Sequence, residues 1–362
     1  MKGRIFLVIP RLSQGGAERV AVLLANSFLR HGYEIILFVA CGSEPGPIAL
    51  LEAVKVVRAK KTRFMLAVPS LCMEIRRYKP TIVISFMTYA NCISFIACKM
   101  SFVKTRIFFT EHSNIRLLCR NLRFKGALLR LMASVLYGRA DKIIAVSQGV
   151  AGDLQSFLRL KKEPTVIYNP TDVGRVISIA GRKDYLDEYK DEKIILAVGR
   201  LVAAKDYPTL LRAFSKVRKM GVRLVIAGDG PERSTLEQLS SSLQLGDRVD
   251  FVGQVDDPYP LFARANVFVL SSAWEGFGNV LVEALAWNLP IVSTDCDFGP
   301  SEILEAGRWG ALVPVRDDAA LGRALEEALE VDAPVDTLSR ALDFDEKNII
   351  PQYLKLLDNA HF

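Results

Sequence analysis

Two series of short apolar segments, separated by helical patterns, constrain the fold most. The first series covers residues 5–10, 35–40, 81–86, 106–110 and 142–147, and the second covers 193–199, 223–227, 249–252, 267–270 and 290–293. Short apolar strands that alternate with helices are typical of parallel sheets covered on both faces. A polar stretch near 169–192 divides the two series. The chain of 362 residues is therefore expected to be α/β, with two doubly wound, Rossmann-like domains facing each other across a cleft.

The composition is that of a globular protein in a reducing compartment. Six cysteines are scattered without a C-x-x-C pair, so neither a disulfide framework nor a zinc site is expected. The first apolar run is only five residues long, which argues against a signal peptide. The uncharged segment 81–98 contains several polar side chains, so we interpret it as a buried strand and a packed helix rather than a membrane span. These features predict a cytoplasmic protein.

The charge is divided unevenly along the chain. The overall formal charge is +7, with +17 on residues 1–170 and −10 on residues 171–362. Such an asymmetry favours a negatively charged partner for the first half, either nucleic acid or an anionic membrane surface.

Loops that follow the predicted strands carry the candidate chemistry, because ligands of such sheets bind at the carboxyl ends of the strands. Gly15 and Gly16 open a helix after the first strand and would let backbone N–H groups approach an anion. In the second half, Gly199 and Arg200 follow a strand and Lys205 comes five residues later. Two cations at this spacing could hold a nucleotide diphosphate.

A glycine-rich loop follows the strand at 267–270. It contains Glu275, and a helix with an apolar face opens near Asn279 and carries Glu283 in its second turn. A carboxylate on an apolar helix needs a partner, and a sugar diol is a suitable one. Backbone N–H groups of residues 277–279 would point at an anion.

Together these motifs resemble glycosyltransferase family 4, which has the two-domain GT-B fold. The resemblance rests on Gly199-Arg200 with Lys205, on the turn 228–232, and on Glu275 and Glu283. It extends to segments 15–19, 146–147, 169–170 and 299–302, and so covers nearly the whole chain.

The resemblance implies retaining transfer of a hexose or N-acetylhexosamine from a nucleotide sugar, with uracil favoured as the base. The catalytic set would be His112, Glu275, Arg200 and Lys205, in which the two cations neutralise the diphosphate, Glu275 holds the sugar and His112 steadies the positive charge that develops on it. Glu283 would hold the ribose. The remaining donor-binding residues would be Gly16, Gly199, Gly230, Phe277, Gly278 and Asn279, the last standing where the family often has leucine.

We expect neither a metal nor another cofactor, since Arg200, Lys205 and backbone N–H groups can stabilise the leaving diphosphate. The spacing Asp295-Cys296-Asp297 is that of metal-dependent transferases of another fold, but magnesium there would leave both cations without a role.

A basic segment of the first half points to the acceptor. No acidic residue lies between His112 and Arg139, and leucines are interleaved with Arg116, Arg120, Arg123, Lys125 and Arg130. This pattern is typical of a segment at an anionic membrane interface, and a basic solvent-facing helix is the plainer alternative. We therefore predict a lipid-linked saccharide acceptor, in surface polysaccharide or glycan assembly, and peripheral attachment to the cytoplasmic face of the inner membrane.

The resemblance also implies an acceptor domain of residues 1–168 together with a C-terminal helix, 346–362, that crosses back onto it, and a donor domain of residues 169–345. Closure about the linker would bring His112 to Glu275. Two alternatives stay open within the fold, namely a transferase with a soluble acceptor and a GT-B nucleotide-sugar epimerase. A basic nucleic-acid-binding protein is the alternative of a different class, but the basic segment lacks interleaved aromatic residues and a reading motif, so no nucleic-acid partner is expected.

Overall fold

The computed structural model describes residues 2–12, 15–41, 50–59, 64–122, 124–178, 189, 192–331 and 336–358. The chain divides into two compact units. Unit 1 is Met1–Pro170 with Lys347–Phe362, and unit 2 is Thr171–Glu346. The boundaries given above from the sequence differ from these by no more than two residues.

Unit 1 is built on a parallel sheet that has seven strands within the described residues, in the order β3-β2-β1-β4-β5-β6-β7. Its strands are β1 (Arg4–Ile9), β2 (Glu34–Val39), β3 (Lys55–Arg58), β4 (Ile82–Phe86), β5 (Arg106–Glu111), β6 (Lys142–Ala145) and β7 (Thr165–Val166). Its helices are α1 (Gly16–Arg30), α2 (Val68–Tyr78), α3 (Thr88–Ser101), α4 (Ile115–Asn121), α5 (Phe124–Tyr137), α6 (Gln148–Leu158) and the C-terminal α15 (Glu346–Asp358).

Unit 2 repeats this plan with six parallel strands among the described residues, in the order β10-β9-β8-β11-β12-β13. They are β8 (Lys193–Val198), β9 (Val222–Ala227), β10 (Val249–Gly253), β11 (Val267–Leu270), β12 (Ile291–Thr294) and β13 (Ala311–Val313). The helices are α7 (Val173–Ser178), α8 (Tyr207–Phe214), α9 (Arg233–Ser242), α10 (Tyr259–Arg264), α11 (Asn279–Ala286), α12 (Pro300–Ile303), α13 (Asp318–Ala328) and α14 (Leu338–Leu342).

Strand order determines which loops meet. In unit 2 the chain reverses its direction of winding between β8 and β11, which are neighbours in the sheet although β8 ends at Val198 and β11 begins only at Val267. The loops that follow these two strands therefore leave the same edge side by side, at the point where ligands bind in open α/β sheets. Unit 1 has the equivalent point between β1 and β4.

Three short strands were missed in the sequence. Lys55 and Arg58 begin and end β3, which lies at an edge of the sheet. Strands β7 and β13 lie at edges as well and have two and three residues. Edge strands face water and need no continuous apolar run, so the pattern used for the central strands does not detect them.

Segment 81–98 forms β4 and most of α3, as its polar residues predicted. Asn91 and Ser94 of α3 are fully buried, and Asn91 donates to the carbonyl oxygen of Thr110. No helix in the described part of the chain has both the length and the apolar character needed to span a bilayer.

The last helix packs into the core of unit 1. Ile349, Ile350, Tyr353 and Leu357 of α15 are all less than 4% exposed and belong to the cluster that contains the β1 and β2 side chains. Tyr353 lies edge-on to Phe28 of α1, with ring centroids 6.1 Å apart.

Candidate active site

An ion pair joins the two loops that meet at the β8/β11 crossover of unit 2. Lys205 follows β8 and donates through Nζ to Oε1 of Glu275, which follows β11. Their side chains are 18% and 13% exposed, so the pair is largely withdrawn from water without being sealed from it. The structure thus brings together two residues that the sequence analysis assigned to different parts of a ligand.

Hydroxyl groups of neighbouring residues hold this ion pair in place. Ser272 donates to Oε1 of Glu275 at 2.6 Å, and Thr294 of β12 donates to the carbonyl oxygen of Ser272 at 2.6 Å. Ser271 donates to the carbonyl oxygen of Lys205 at 2.7 Å. Both side-chain hydrogen bonds to Glu275 fall on Oε1, and Oε2 accepts none from the residues described. One carboxylate oxygen is therefore used for positioning, while the other is available to a ligand hydroxyl.

Close backbone packing shapes the loop after β8. A Cβ atom on Gly228 would lie 1.9 Å from the carbonyl oxygen of Gly199, and one on Gly230 would lie 2.3 Å from that of Leu201. A Cβ on Gly199 would lie 3.2 Å from Cε of Lys205, so the lysine stem crosses this glycine. Arg200 is exposed and forms no ion pair with the residues that the structure describes. Gly228 and Gly230 are thus needed for the close approach of their backbone to that of residues 199–201. The loop after β8 carries two cations, of which Lys205 is partly buried and Arg200 is exposed.

The helix after the β11 loop begins as the sequence predicted. Gly278 is the residue before α11 and has φ +99°, a conformation that favours glycine, and Asn279 is the first helical residue. Phe277 is buried and lies edge-on to Phe344, with centroids 5.5 Å apart. Glu283 of α11 is only 5% exposed. A carboxylate buried to this extent needs polar groups around it.

The Asp295-Cys296-Asp297 segment has a structural contact with this loop. The backbone N–H of Glu275 donates to the carbonyl oxygen of Asp297 at 3.1 Å, beside a bridge between Trp274 and Asp297. Burial, with the negative charge of Glu275 as a smaller cause, raises the pKa of Cys296 to about 12. In the part of the chain that the structure describes, no three His, Cys, Asp or Glu side chains form a metal-binding group.

His112 lies at the carboxyl end of β5 in unit 1, stacked on Phe86 with ring centroids 5.6 Å apart. The hydroxyl of Thr110 donates to the carbonyl oxygen of Ser85 at 2.9 Å, so its oxygen can accept from Nε2–H of His112 at 3.2 Å. This network assigns the proton to Nε2 and leaves the lone pair on Nδ1, which is buried without a hydrogen-bond partner among the described residues. Nδ1 is thus an acceptor to which no described residue donates.

A buried carboxylate beside His112 was missed in the sequence. Glu111 is fully buried and accepts from the hydroxyls of Tyr137 at 2.6 Å, Thr88 at 2.8 Å and Ser113 at 2.8 Å, and from the backbone N–H of His112 at 3.2 Å. Burial raises the pKa of Glu111, and these hydrogen bonds oppose the rise. The network ties helices α3 and α5 to the His112 loop. The sequence feature that could have identified Glu111 is an acidic residue at the end of an apolar strand.

The remaining predicted residues of unit 1 lie in two places. Gly16 is the first residue of α1, and Gly15 is in extended conformation before it. In the basic segment, Arg116 pairs with Asp153 at 2.8 Å and lies over the ring of Phe157, which Arg130 also contacts at 4.4 Å. Arg120 and Lys125 are exposed, and Arg123 lies outside the described residues. Of the four cations that the structure describes here, two are therefore engaged within unit 1.

We expect His112 to make stability depend on pH. Burial lowers its pKa to about 3, whereas the unfolded chain has an ordinary value near 6.5. The stabilisation is complete above pH 6.5, and it is lost as the pH falls from 6.5 towards 3, because only the unfolded state then takes up a proton. The slope approaches about 1.4 kcal/mol per pH unit.

Glu111 acts in the opposite sense, because a raised carboxyl pKa makes its contribution grow as the pH falls. Urea unfolding of the wild type and of His112→Asn at several pH values isolates the effect of His112. Both proteins keep Glu111, so its contribution cancels in the difference between their unfolding free energies. The difference in unfolding free energy should shrink below pH 6.5, with His31→Asn on the exposed end of α1 as the control. A pH-independent difference would show that His112 is not kept neutral by the fold.

Solved structures define the class of fold. The Anabaena protein HepE in complex with UDP and glucose matches with a TM-score of 0.81 and 20% identity, covering 99% of this chain and 100% of that one. Sucrose-phosphate synthase from Thermosynechococcus elongatus matches with a TM-score of 0.84 and 21% identity, covering 98% of each chain. These matches show that the chain has the GT-B fold.

The family follows from the sequence matches. Residues 14–175 match the model of Glycosyltransferase Family 4, and residues 182–342 match that of the Glycosyl transferases group 1. A Campylobacter jejuni N-acetylgalactosamine-N,N'-diacetylbacillosaminyl-diphospho-undecaprenol 4-alpha-N-acetylgalactosaminyltransferase is 30% identical, over 98% of this chain and 99% of its own. The lipopolysaccharide core biosynthesis glycosyltransferase LpsE of Rhizobium meliloti is 36% identical, over 53% and 54%. The chain belongs to glycosyltransferase family 4, as the motifs predicted.

Proposed function

We propose that this enzyme transfers a hexose or N-acetylhexosamine, with retention of configuration and without a metal, from a UDP-sugar to a hydroxyl of a lipid-linked saccharide. The relative from C. jejuni is named for an acceptor that carries a diphospho-undecaprenol, and the one from R. meliloti is named for lipopolysaccharide core assembly. These names support a place in surface polysaccharide or glycan assembly. HepE, which shares the fold, is described with UDP.

The Lys205–Glu275 pair at the β8/β11 crossover carries the proposal. An ammonium has three donors, so Lys205 can keep Glu275 and still donate to a phosphate oxygen. Arg200, on the same loop, supplies a second cation for the diphosphate. The pair is largely withdrawn from water, which strengthens its effect on the charge that develops as the sugar–phosphate bond breaks.

The other residues take the roles that the family resemblance implies. Oε2 of Glu275 accepts from hydroxyls of the transferred sugar, Glu283 accepts from the ribose, and N–H groups at the start of α11 meet the diphosphate. His112 lies by the transferred sugar and steadies the positive charge that develops on it, with a ring that burial keeps neutral and a lone pair that the Thr110 contact leaves on Nδ1. Gly16, Gly199 and Gly230 let the backbone approach the donor.

The retaining step needs no protein nucleophile in this proposal. The bond between the anomeric carbon and the phosphate oxygen breaks, and the acceptor oxygen bonds to that carbon on the same face. The acceptor proton passes to the departing phosphate oxygen, so the products are a glycoside and UDP. The cations hold the phosphate while it takes the proton.

We also propose peripheral attachment to the cytoplasmic face of the inner membrane through the basic segment. Arg120 and Lys125 are exposed in this segment. After Lys125, α5 also exposes the large apolar side chains Leu128, Leu131 and Val135. Apolar side chains flanked by cations suit an anionic interface.

The test is a transfer assay with purified protein, membranes and a panel of labelled UDP- and GDP-sugars, with and without chelator. We expect one UDP-sugar to label organic-extractable lipid in the presence of chelator, and NMR of the product to show the donor's anomeric configuration. Label only in water-soluble product would favour a soluble acceptor, and donor conversion without transfer would favour an epimerase. Asp295→Asn should transfer like the wild type; its inactivity together with chelator sensitivity would contradict the metal-free mechanism.

A further inference from the structure

A cavity of about 680 Å³ opens at the end of unit 1 opposite to His112. It lies where the strands begin, between the end of α5, the start of β6 and the turn from α6 to β7. Its lining includes five cationic residues, which are Arg139, Lys142, Arg159, Lys161 and Lys162. None of the predicted donor-site residues lines it, so this cavity is separate from the site described above.

The cavity has an excess of positive charge that the protein does not neutralise. Two acidic residues line it, Asp141 and Glu163, which leaves three net positive charges. Asp141 already accepts from the backbone N–H of Ile107 at 2.8 Å. None of the five cationic residues forms an ion pair within the described chain. Unpaired cations gathered around a concave site favour an anionic ligand.

Arg159 occupies a backbone position where glycine would cost less. It ends α6 with φ 55°, in the left-handed region. Helices commonly place glycine there, because a side chain makes this conformation unfavourable. The arginine thus brings a guanidinium to the cavity wall at a conformational cost.

An exposed apolar stripe on α5 leads to the same cavity. Phe124, Leu128, Leu131 and Val135 are 95%, 69%, 65% and 45% exposed, and their spacing places them on one face of the helix. Val135 also lines the cavity, so the stripe and the cationic lining are continuous. A soluble phosphate would account for the cations alone, whereas a lipid accounts for both features.

We infer that this cavity binds the phosphate headgroup of an anionic phospholipid while the α5 stripe lies in the bilayer interface. The inference rests on the proposed function, because an enzyme with a lipid-linked acceptor must work at a bilayer. It adds a specific headgroup site at the opposite end of unit 1 from His112.

The experiment measures binding of the full chain to phosphatidylcholine vesicles with and without phosphatidylglycerol. Since each cation near such a surface contributes about 1 kcal/mol, Lys161→Gln/Lys162→Gln should weaken binding to the anionic vesicles about thirtyfold, and Arg159→Gly about fivefold. Arg159→Gly should keep or raise the melting temperature, because glycine suits that backbone, so misfolding would not explain its loss. Lys347→Gln/Lys355→Gln, with the same charge change on exposed positions of α15, is the matched control.

Unchanged binding by the cavity variants, or an equal loss in the control, would overturn the headgroup site. Binding of inorganic phosphate that depends on Arg159, with no binding to vesicles, would overturn it as well. In neutral detergent every variant should transfer sugar as the wild type does. If the wild type transfers no sugar to lipid in that assay, the proposed function fails, whatever the vesicles show.

Discussion

Replacing Lys205 with alanine should lower kcat for sugar transfer between about a hundredfold and a thousandfold, which is the effect of removing one hydrogen-bond donor from a developing oxyanion. The variant loses the ammonium that lies 18% exposed at the β8/β11 crossover, and it leaves the Glu275 carboxylate without its cation. The loss should be in kcat more than in KM, because charge on the leaving phosphate is largest in the transition state. Initial rates of labelled transfer measure it, and added ethylammonium should restore part of the rate.

Two further variants separate chemistry from folding. Lys216→Ala removes an exposed lysine of unit 2 that pairs with Asp318, and it should keep wild-type turnover. Lys205→Met/Glu275→Gln removes both charges of the pair, so it should regain stability relative to Lys205→Ala while staying inactive. A Lys205→Ala enzyme that retains transfer within about tenfold of the wild type would refute the assigned role.

Replacing Glu283 with glutamine should raise the KM for the donor between about ten- and a hundredfold, since a hydrogen bond to a charged group contributes about 1.5–3 kcal/mol. The side chain is 5% exposed on α11, and glutamine keeps its shape while removing its charge. The ribose is remote from the bond that breaks, so kcat should change much less than KM.

A donor with a 2'- or 3'-deoxyribose provides a second test of the contact between Glu283 and the ribose. The wild type should lose affinity for one of these donors, while Glu283→Gln should hardly distinguish it from the normal donor. Glu237→Gln, on the exposed face of α9, is the control and should behave as the wild type. Equal discrimination against the deoxy donor by wild type and variant would place the ribose contact elsewhere.

The central strands could be predicted because burial on both faces imposes an apolar run that is visible locally. The same reasoning could not find β3, because a lysine and an arginine at its two ends leave only two apolar residues between them. It could not show that Lys205 and Glu275 form an ion pair, because they are 70 residues apart along the chain. Only the adjacency of β8 and β11 makes them an ion pair.

For His112, too, the sequence could predict one part of the site and not the other. The sequence could show a histidine after a strand and, through the family motif, its candidate role. It could not show that Thr110 directs the proton to Nε2, or that Glu111 collects four hydrogen bonds in a fully buried site. Those depend on Ser85, Thr88 and Tyr137, which come from three other elements of unit 1.

The sequence by itself determined the alternation of strands and helices, the family, and the residue types at the carboxyl ends of the strands. These are properties of short segments, set by periodicity and by turn chemistry. The tertiary structure alone decided which carboxylate meets which cation, which acid is buried, and which arginines of the basic segment are already engaged. Such pairings depend on strand order and helix packing, and these are set by contacts between residues far apart in the chain.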